Sequence, residues 1–286
     1  MSLFAIADTH LSLSADKPMD IFNGWSDYVQ RLEKNWRAVV SDGDTVVIPG
    51  DVSWAMSLEG AQKDFAFLDS LPGKKILMKG NHDYWWNTTR KMENFFKEKG
   101  FETLSIVHNS AVLVGNISVC GTRGWFFDAE EDADKKVLLR EAGRLRTSIE
   151  KGIALGGEPV VFLHYPPITQ DRICPEIYDV LVEYKIKRCF YGHLHSFATK
   201  SAFEGERDGI KFSLISGDHL EFLPKLIEKT AVISAQRRIL RLKRKIPALA
   251  ENLKNSVEIL TYLCYNLKVT CIMGGKTNEF KIIKQN

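Results

Sequence analysis

The feature of this 286-residue sequence that most constrains its fold is a repeated pattern of apolar runs, each ending in a short loop of Asp, His or Asn. Leu3–Ala7 runs into Asp8-Thr9-His10. Thr45–Pro49 runs into Gly50-Asp51, and Lys75–Met78 into Gly80-Asn81-His82-Asp83. Val160–Leu163 is followed by His164, and Lys187–Tyr191 by Gly192-His193-Leu194-His195. Short apolar runs bounded by turn-forming residues read as buried strands. Helical spacing at Gly24–Val40, Leu58–Leu71 and Thr88–Lys99 separates and follows the first three runs. Strands alternating with helices predict an α/β architecture with parallel strands at its start. Ligands of such sheets sit beyond the carboxyl ends of the strands. Asp8, His10, Asp51, Asn81, His82, Asp83, His164, His193 and His195 are therefore expected on one rim. Five of the seven histidines lie in these loops, and only His108 and His219 do not.

From Glu102 the pattern changes to short strands, Leu104–Val107, Ala111–Val114 and Ile117–Cys120, which argues for a mixed sheet or for two sheets. Glu130–Lys151 reads as a long charged helix, and Lys211–Ser216 as the strand that closes the body. With 44% hydrophobic and 26% charged residues the chain can bury a sizeable core, which excludes disordered, collagen-like and disulfide-scaffold classes. No apolar run reaches about 18 residues, so no membrane helix is expected. The start, MSLFAIADTH, has no basic region before a long apolar stretch, so no signal peptide is expected and the protein is read as cytoplasmic. The five cysteines, with no Cys-x-x-Cys pair, read as reduced, buried thiols.

The loop residues form a nitrogen and oxygen donor set without thiolates, which suits Zn, Mn, Fe, Ni or Co. It is too rich in imidazole for Ca or Mg alone. One ion cannot use so many donors, whereas two can if a carboxylate bridges them. Two ions about 3.5–4 Å apart suit in-line displacement at phosphorus. Each piece alone also fits a turn or a buried histidine; all of them, in order and each at a strand end, do not arise readily by chance.

Asp8-x-His10, Gly50-Asp51, Gly80-Asn81-His82-Asp83, His164 and Gly192-His193-x-His195 together resemble the motif set of the calcineurin-like metallophosphoesterases. The resemblance covers roughly residues 1–226. It implies a four-layer α/β/β/α sandwich of two mixed sheets flanked by helices. It also implies two divalent metal ions (Mn, Fe, Zn or Ni), one held by Asp8, His10, Asp51 and His195, the other by Asp51, Asn81, His164 and His193. Asp51 would bridge them, and a hydroxide activated by the ions would cleave a phosphomonoester or phosphodiester. His82 would be catalytic rather than a ligand, stabilising phosphoryl oxygens and helping to protonate the leaving oxygen, with Asp83 orienting it.

The sequence departs from particular branches of this family. Its protein phosphatases carry an Arg soon after Gly-Asp and a Glu after Gly-Asn-His; here the stretches are Gly50-Asp51-Val52-Ser53-Trp54-Ala55 and Asp83. Hydrolases of the lipid A pathway resemble Gly-Asn-Arg-Asp, and His82 stands in place of that Arg. Arg123, in Gly121-Thr122-Arg123-Gly124-Trp125, is either a phosphate-binding residue or a surface residue of a Gly-rich turn. Tyr84, Trp85 and Trp86 either wall a pocket or pack their loop onto the next helix. The Leu11–Phe22 loop is either a lid or a cover for the sheet edge.

Residues 225–286 hold 13 Lys/Arg and 4 Asp/Glu, leaving 26 and 32 for residues 1–224. An acidic body is thus followed by a basic tail, and the expected domains are 1–226 and a small basic helical extension, 227–286. Ile239, Leu242, Ile246, Leu249, Leu253, Val257, Leu260, Cys264 and Leu267 form an amphipathic stripe beside the basic run Arg237–Lys245. Lys268–Ile272 and Glu279–Ile283 read as a hairpin around Gly274-Gly275. The basic face would hold nucleic acid or an acidic partner, dock on the acidic body, or form a dimer seam. Two rivals therefore stand beside the phosphohydrolase: a nuclease holding nucleic acid with this tail, and a non-catalytic metal-stabilised binding protein. The sequence leaves the oligomeric state open.

Overall fold

A computed structural model describes residues 1–125, 132–229, 270–273 and 280–283. The chain divides into two compact units, Met1–Val232 and Ile233–Asn286.

The first unit contains two sheets. Strands β1 (Ser2–Ala5), β2 (Thr45–Pro49), β3 (Lys74–Met78) and β4 (Leu104–Ile106) run parallel. Helices α1 (Tyr28–Val39), α2 (Gln62–Ser70) and α3 (Thr89–Lys99) connect them. The chain then passes into a second sheet, built from β5 (Val112–Val114), β6 (Ile117–Thr122), β7 (Glu158–Leu163), β8 (Arg188–Tyr191), β9 (Gly205–Arg207) and β10 (Ile210–Leu214). Its order is β5-β6-β7-β8-β10-β9, parallel in the middle and antiparallel at both edges. Helices α4 (Asp132–Ala154) and α5 (Pro175–Glu183) belong to this half. Finally β11 (Lys225–Lys229) pairs antiparallel with β1 and completes the first sheet, order β11-β1-β2-β3-β4.

The shortening of the strand pattern after Glu102 marks the crossing between sheets, since β4 ends the parallel run and β5–β6 is an antiparallel pair. Alternation along each strand builds the layers. Leu3, Ala5, Val47, Ile76 and Met78 face the second sheet and meet Val119, Val160, Phe162 and Phe190. Phe4, Val46, Ile48 and Leu77 face the helices and pack on Leu32, Trp36, Phe65, Leu68 and Met92. On the far side Cys120, Val161, Leu163 and Cys189 pack against Leu145, Ile149, Ile177 and Leu181. Three cores between four layers are the α/β/β/α sandwich.

Besides the short edge strand β9, two elements were not expected. Pro175 opens α5, whose Ile177, Tyr178, Val180 and Leu181 are buried at helical spacing. The other is β11, whose residues straddle the expected boundary at 226. Its half-buried residues pair only with β1, a partner more than 200 residues away in sequence that no local pattern reveals. Cys120, Cys174 and Cys189 are buried free thiols.

In the second unit β12 (Thr270–Met273) pairs antiparallel with β13 (Phe280–Ile283), from Thr270↔Ile283 to Met273↔Phe280, the hairpin expected around Gly274-Gly275. The amphipathic stripe, the Arg237–Lys245 run and the expected helical extension lie outside the described residues. Among the described residues no helix is long and apolar enough to cross a membrane.

Candidate metal centre

The carboxyl ends of the parallel strands of both sheets point to one rim. The sheets meet there: Ala7 N–H donates to the Ile215 carbonyl at 2.7 Å, and Ala7 bridges Ser216 in parallel. Asp8 and His10 follow β1, Asp51 follows β2, and Asn81 and His82 follow β3. His164 follows β7, and His193 and His195 follow β8. These seven donor residues and His82 come together.

The loops are bent tightly to achieve this. Asp8, His10, Asp51 and His193 all have left-handed backbones, at φ of 58°, 43°, 49° and 72°. Such conformations are costly outside glycine and collect at functional sites. The motif glycines make room for ligands of neighbouring loops: a methyl at Gly80 would overlap Asp51 Oδ1, and one at Gly192 would overlap Asp8 Oδ2.

Two clusters result. In each, Asp8-His10-His195 and Asp51-His164-His193, one donor atom per residue lies within 4.8 Å of the others. Asp51 Oδ2 lies 3.7 Å from His10 Nε2 and 3.5 Å from His164 Nε2, so one carboxylate oxygen faces both clusters. Asn81 Oδ1 is 2.6 Å from His164 Nε2. The His193 N–H donates to Asp8 Oδ2 at 2.9 Å.

These residues fit cations. Asp8 Oδ1 and His164 Nδ1 are buried 3.5 Å apart, and neither has a hydrogen-bond partner. Buried polar atoms are rarely left so. His10 Nε2 and His195 Nε2 approach to 3.3 Å, and two imidazole lone pairs repel unless a proton or a metal ion lies between them.

The electrostatics agree. Burial pushes His10 down to about 3 and His193 to about 4, and drives His164 well below its ordinary value, so these imidazoles are neutral donors. Burial, then Asp83 and Asp8, push the Asp51 carboxyl well above the usual range. Burial also opposes the charge on Asp8, but His195 and the other imidazoles around it hold it below the usual carboxylate range. Burial would lower His195 too, yet Asp8 and Asp218 raise it to about 10. Its proton must leave before it can ligate an ion, so ion binding here releases a proton.

Asp218 is the residue the sequence reading missed. Its Oδ1 lies 2.7 Å from His195 Nδ1 and its Oδ2 accepts the Ser196 N–H at 2.9 Å, so it directs Nε2 toward the cluster. The signal was present: Gly217-Asp218-His219 follows β10 just as Gly50-Asp51 follows β2. His219 itself faces Glu204 instead. Asp218→Ala is expected to weaken divalent-ion binding at the Asp8-His10-His195 cluster by ~10–100-fold, the usual cost of removing a partner that orients a ligating His. Titration of metal-free protein with Mn checks this, with ions at the second cluster little changed.

One expectation needs correction, and two open alternatives meet the geometry. Asp83 does not orient the His82 ring. Its carboxylate accepts N–H bonds from Val52 (2.8 Å), Ser53 (3.2 Å), Gly80 (2.7 Å) and the Trp85 indole (2.9 Å) and ties the β2 and β3 loops together. Burial still raises it to about 6. The side chain at His82 Nδ1 is Tyr84, whose hydroxyl is 3.3 Å away. The three aromatics therefore have different fates: Trp85 is core, Trp86 is half-buried, and Tyr84 is exposed beside the site. Arg123 also stays outside the cavity above the clusters. Its guanidinium lies 4.6 Å over Trp125 and 4.0 Å from the buried Glu141, and its backbone carbonyl accepts the N–H groups of His164 and Tyr165.

The cavity, about 300 Å³, opens over His10, Asp51, His82, His193 and His195. Its upper walls include Trp54, stacked on His10 with centroids 5.0 Å apart, and Met19 and Phe22 of the loop after β1. That loop thus lines the site.

The sequence profile of the calcineurin-like phosphoesterases matches residues 1–197. No curated protein matches the chain at a significant level. Among solved structures, a protein of unknown function from Aquifex aeolicus aligns over 84% of this chain and 98% of its own, with 15% identity and a TM-score of 0.44. A phosphopantetheinyl hydrolase from Mycobacterium tuberculosis aligns over 79% and 95%, with 14% identity and a TM-score of 0.46. A Thermus thermophilus protein aligns over 70% and 85%, with 13% identity and a TM-score of 0.46. Nothing about substrate follows from likenesses at this level.

Proposed function

The chain belongs to the calcineurin-like phosphoesterase family, and we propose that it hydrolyses a phosphomonoester or phosphodiester with the help of two divalent ions. The observation that carries the reading is Asp51 Oδ2, within 3.7 Å of a donor nitrogen from each cluster. Asp8, His10, Asp51 and His195 would hold one ion, and Asp51, Asn81, His164 and His193 the other; the clusters Asp8-His10-His195 and Asp51-His164-His193 support this assignment. The nitrogen and oxygen donors suit Mn, Fe, Zn or Ni.

Two ions there would supply charge to bring the pKa of a water toward neutral and to offset charge on the phosphoryl oxygens. The rest falls to the chain. Hydrolysis forms one P–O bond from water and breaks the P–O bond to the alcohol, and a proton must reach the departing oxygen. His82 is the donor placed for this, at the cavity wall with its ring centroid 5.9 Å from that of His10. The Tyr84 hydroxyl lies 3.3 Å from Nδ1, where it can donate to the neutral ring or accept from the charged one. Burial lowers the His82 pKa, so the ring of the free protein is neutral near pH 7 and must take up a proton before it can give one to the departing oxygen. Trp54, 4.3 Å from it, fixes the ring plane. Asp83 acts one step back, holding the backbone that carries both Asn81 and His82.

The test is hydrolysis of an aryl phosphomonoester and its bis-aryl diester by protein dialysed free of metal and resupplied with Mn. Activity is expected only with the metal, and the ratio between the two esters reports the ester class. Bound metal with no turnover of either ester would instead favour a binding protein.

A further inference from the structure

Resting on that reading, we propose that the cavity above the clusters is a pocket for an apolar, aromatic leaving group, so that the substrates are phosphoesters of aryl-bearing alcohols rather than of sugars or polyphosphates.

The polar lining of the cavity is His10, Asp51, His193 and His195 of the clusters, with His82 and Ser196. The rest is Met19, Phe22, Trp25 and Trp54. None of the residues lining the cavity is Lys or Arg. Lys17 stands beside this lining, its Nζ 5.5 Å over the Trp54 ring. A second phosphate or a row of hydroxyls placed here would lose water and gain few partners, which costs more than it returns. A flat apolar group would instead exchange water for aromatic walls. One wall residue is also costly for the free protein to display: Phe22 is 51% exposed, whereas Trp25 and Met19 are buried. An apolar ring exposed in the lining of a cleft gains from being covered. The volume, about 300 Å³, suits a phosphoryl group with a small ring system and not a polymer strand. The position also fits chemically. His82 lines the same cavity, so an alcohol seated on these walls would leave with its oxygen beside the proposed proton donor.

The pocket is tested by binding, independently of turnover. Calorimetry on the full, Mn-loaded chain compares 1-naphthylmethylphosphonate with 3-hydroxypropylphosphonate, whose C–P bonds resist hydrolysis. The naphthyl ligand is expected to bind ~30–100-fold more tightly, the return on burying about 100 Å² of apolar surface. Phe22→Ser, a change at a half-exposed position that does not threaten the fold, should cut that preference ~5–10-fold. Affinities within threefold of each other, no binding of either ligand, or an unchanged preference in Phe22→Ser would overturn the proposal. Hydrolysis without aryl preference would refute the pocket and leave the phosphoesterase reading standing.

Discussion

Asp51→Asn should abolish ester hydrolysis, a loss on the order of 10³-fold or more, and weaken ion binding at both clusters together. The reason is position. Asp51 Oδ2 is shared between a donor of one cluster and a donor of the other, so its charge serves both. Losing an outer partner of a ligand already costs ~10–100-fold in affinity, and losing the shared ligand charge must cost at least that. The substitution spares the fold. Asn retains the oxygen that accepts the His82 N–H at 2.8 Å. A thermal measurement separates loss of metal from loss of structure. In metal-free protein the Asp51 carboxyl has a raised folded-state pKa, through burial and then through Asp83 and Asp8. An acid whose folded pKa lies above its unfolded value destabilises the fold increasingly as pH rises between the two, and at neutral pH that cost is present. Metal-free Asp51→Asn should therefore melt at or above the metal-free parent. Adding Mn should raise the parent's Tm markedly and the variant's little. A variant that melts well below the parent without metal would show that Asp51 is structural.

His82→Ala should lower kcat by ~10²–10⁴-fold while both ions stay bound, the scale set by a positioned proton donor. The backbone bond from residue 82 to Asp51 survives the change, since it uses the N–H and not the ring. The removed ring packs on Trp54, Tyr84 and, at 5.9 Å between centroids, His10, but its one hydrogen-bond partner among the described residues is Tyr84, which belongs to no cluster. Metal content by elemental analysis and turnover of the aryl ester are the two readouts. Loss of an ion on removing this side chain would make His82 a ligand and sink the proposed role. An unchanged kcat would do the same from the other side.

Much of this was legible in the chain because it rests on local patterns. Val46, Val47 and Ile48 declare a strand buried on both faces whatever lies around them. Tyr28, Leu32 and Trp36, four residues apart, declare one buried helix stripe. The helix at Gly24–Val40 was expected too early. Trp25 is buried, but Asp27 takes a left-handed backbone and α1 starts only at Tyr28. Asp83 shows the opposite limit. Its place beside His82 in sequence suggested a shared task, yet its carboxylate points back to Val52 and Ser53, residues 31 and 30 positions earlier. Adjacency in the chain does not specify direction in space.

The sequence by itself determined most of the order of strands and helices, the strand ends at which the donors stand, and the donor chemistry, because periodicity, turn-forming glycines and ligand type are properties of short segments. Only the tertiary structure decided which donors face one another. Asp51 lies between two clusters because two sheets, joined at Ala7 and Ile215, bring β2 opposite β7. Asp218 supports His195 across 23 residues. Trp54, stacked on His10, shares the cavity wall with Met19 and Phe22 from the loop after β1. Such contacts join segments that share no local pattern, and they form only when the packing of three cores fixes the distances between layers.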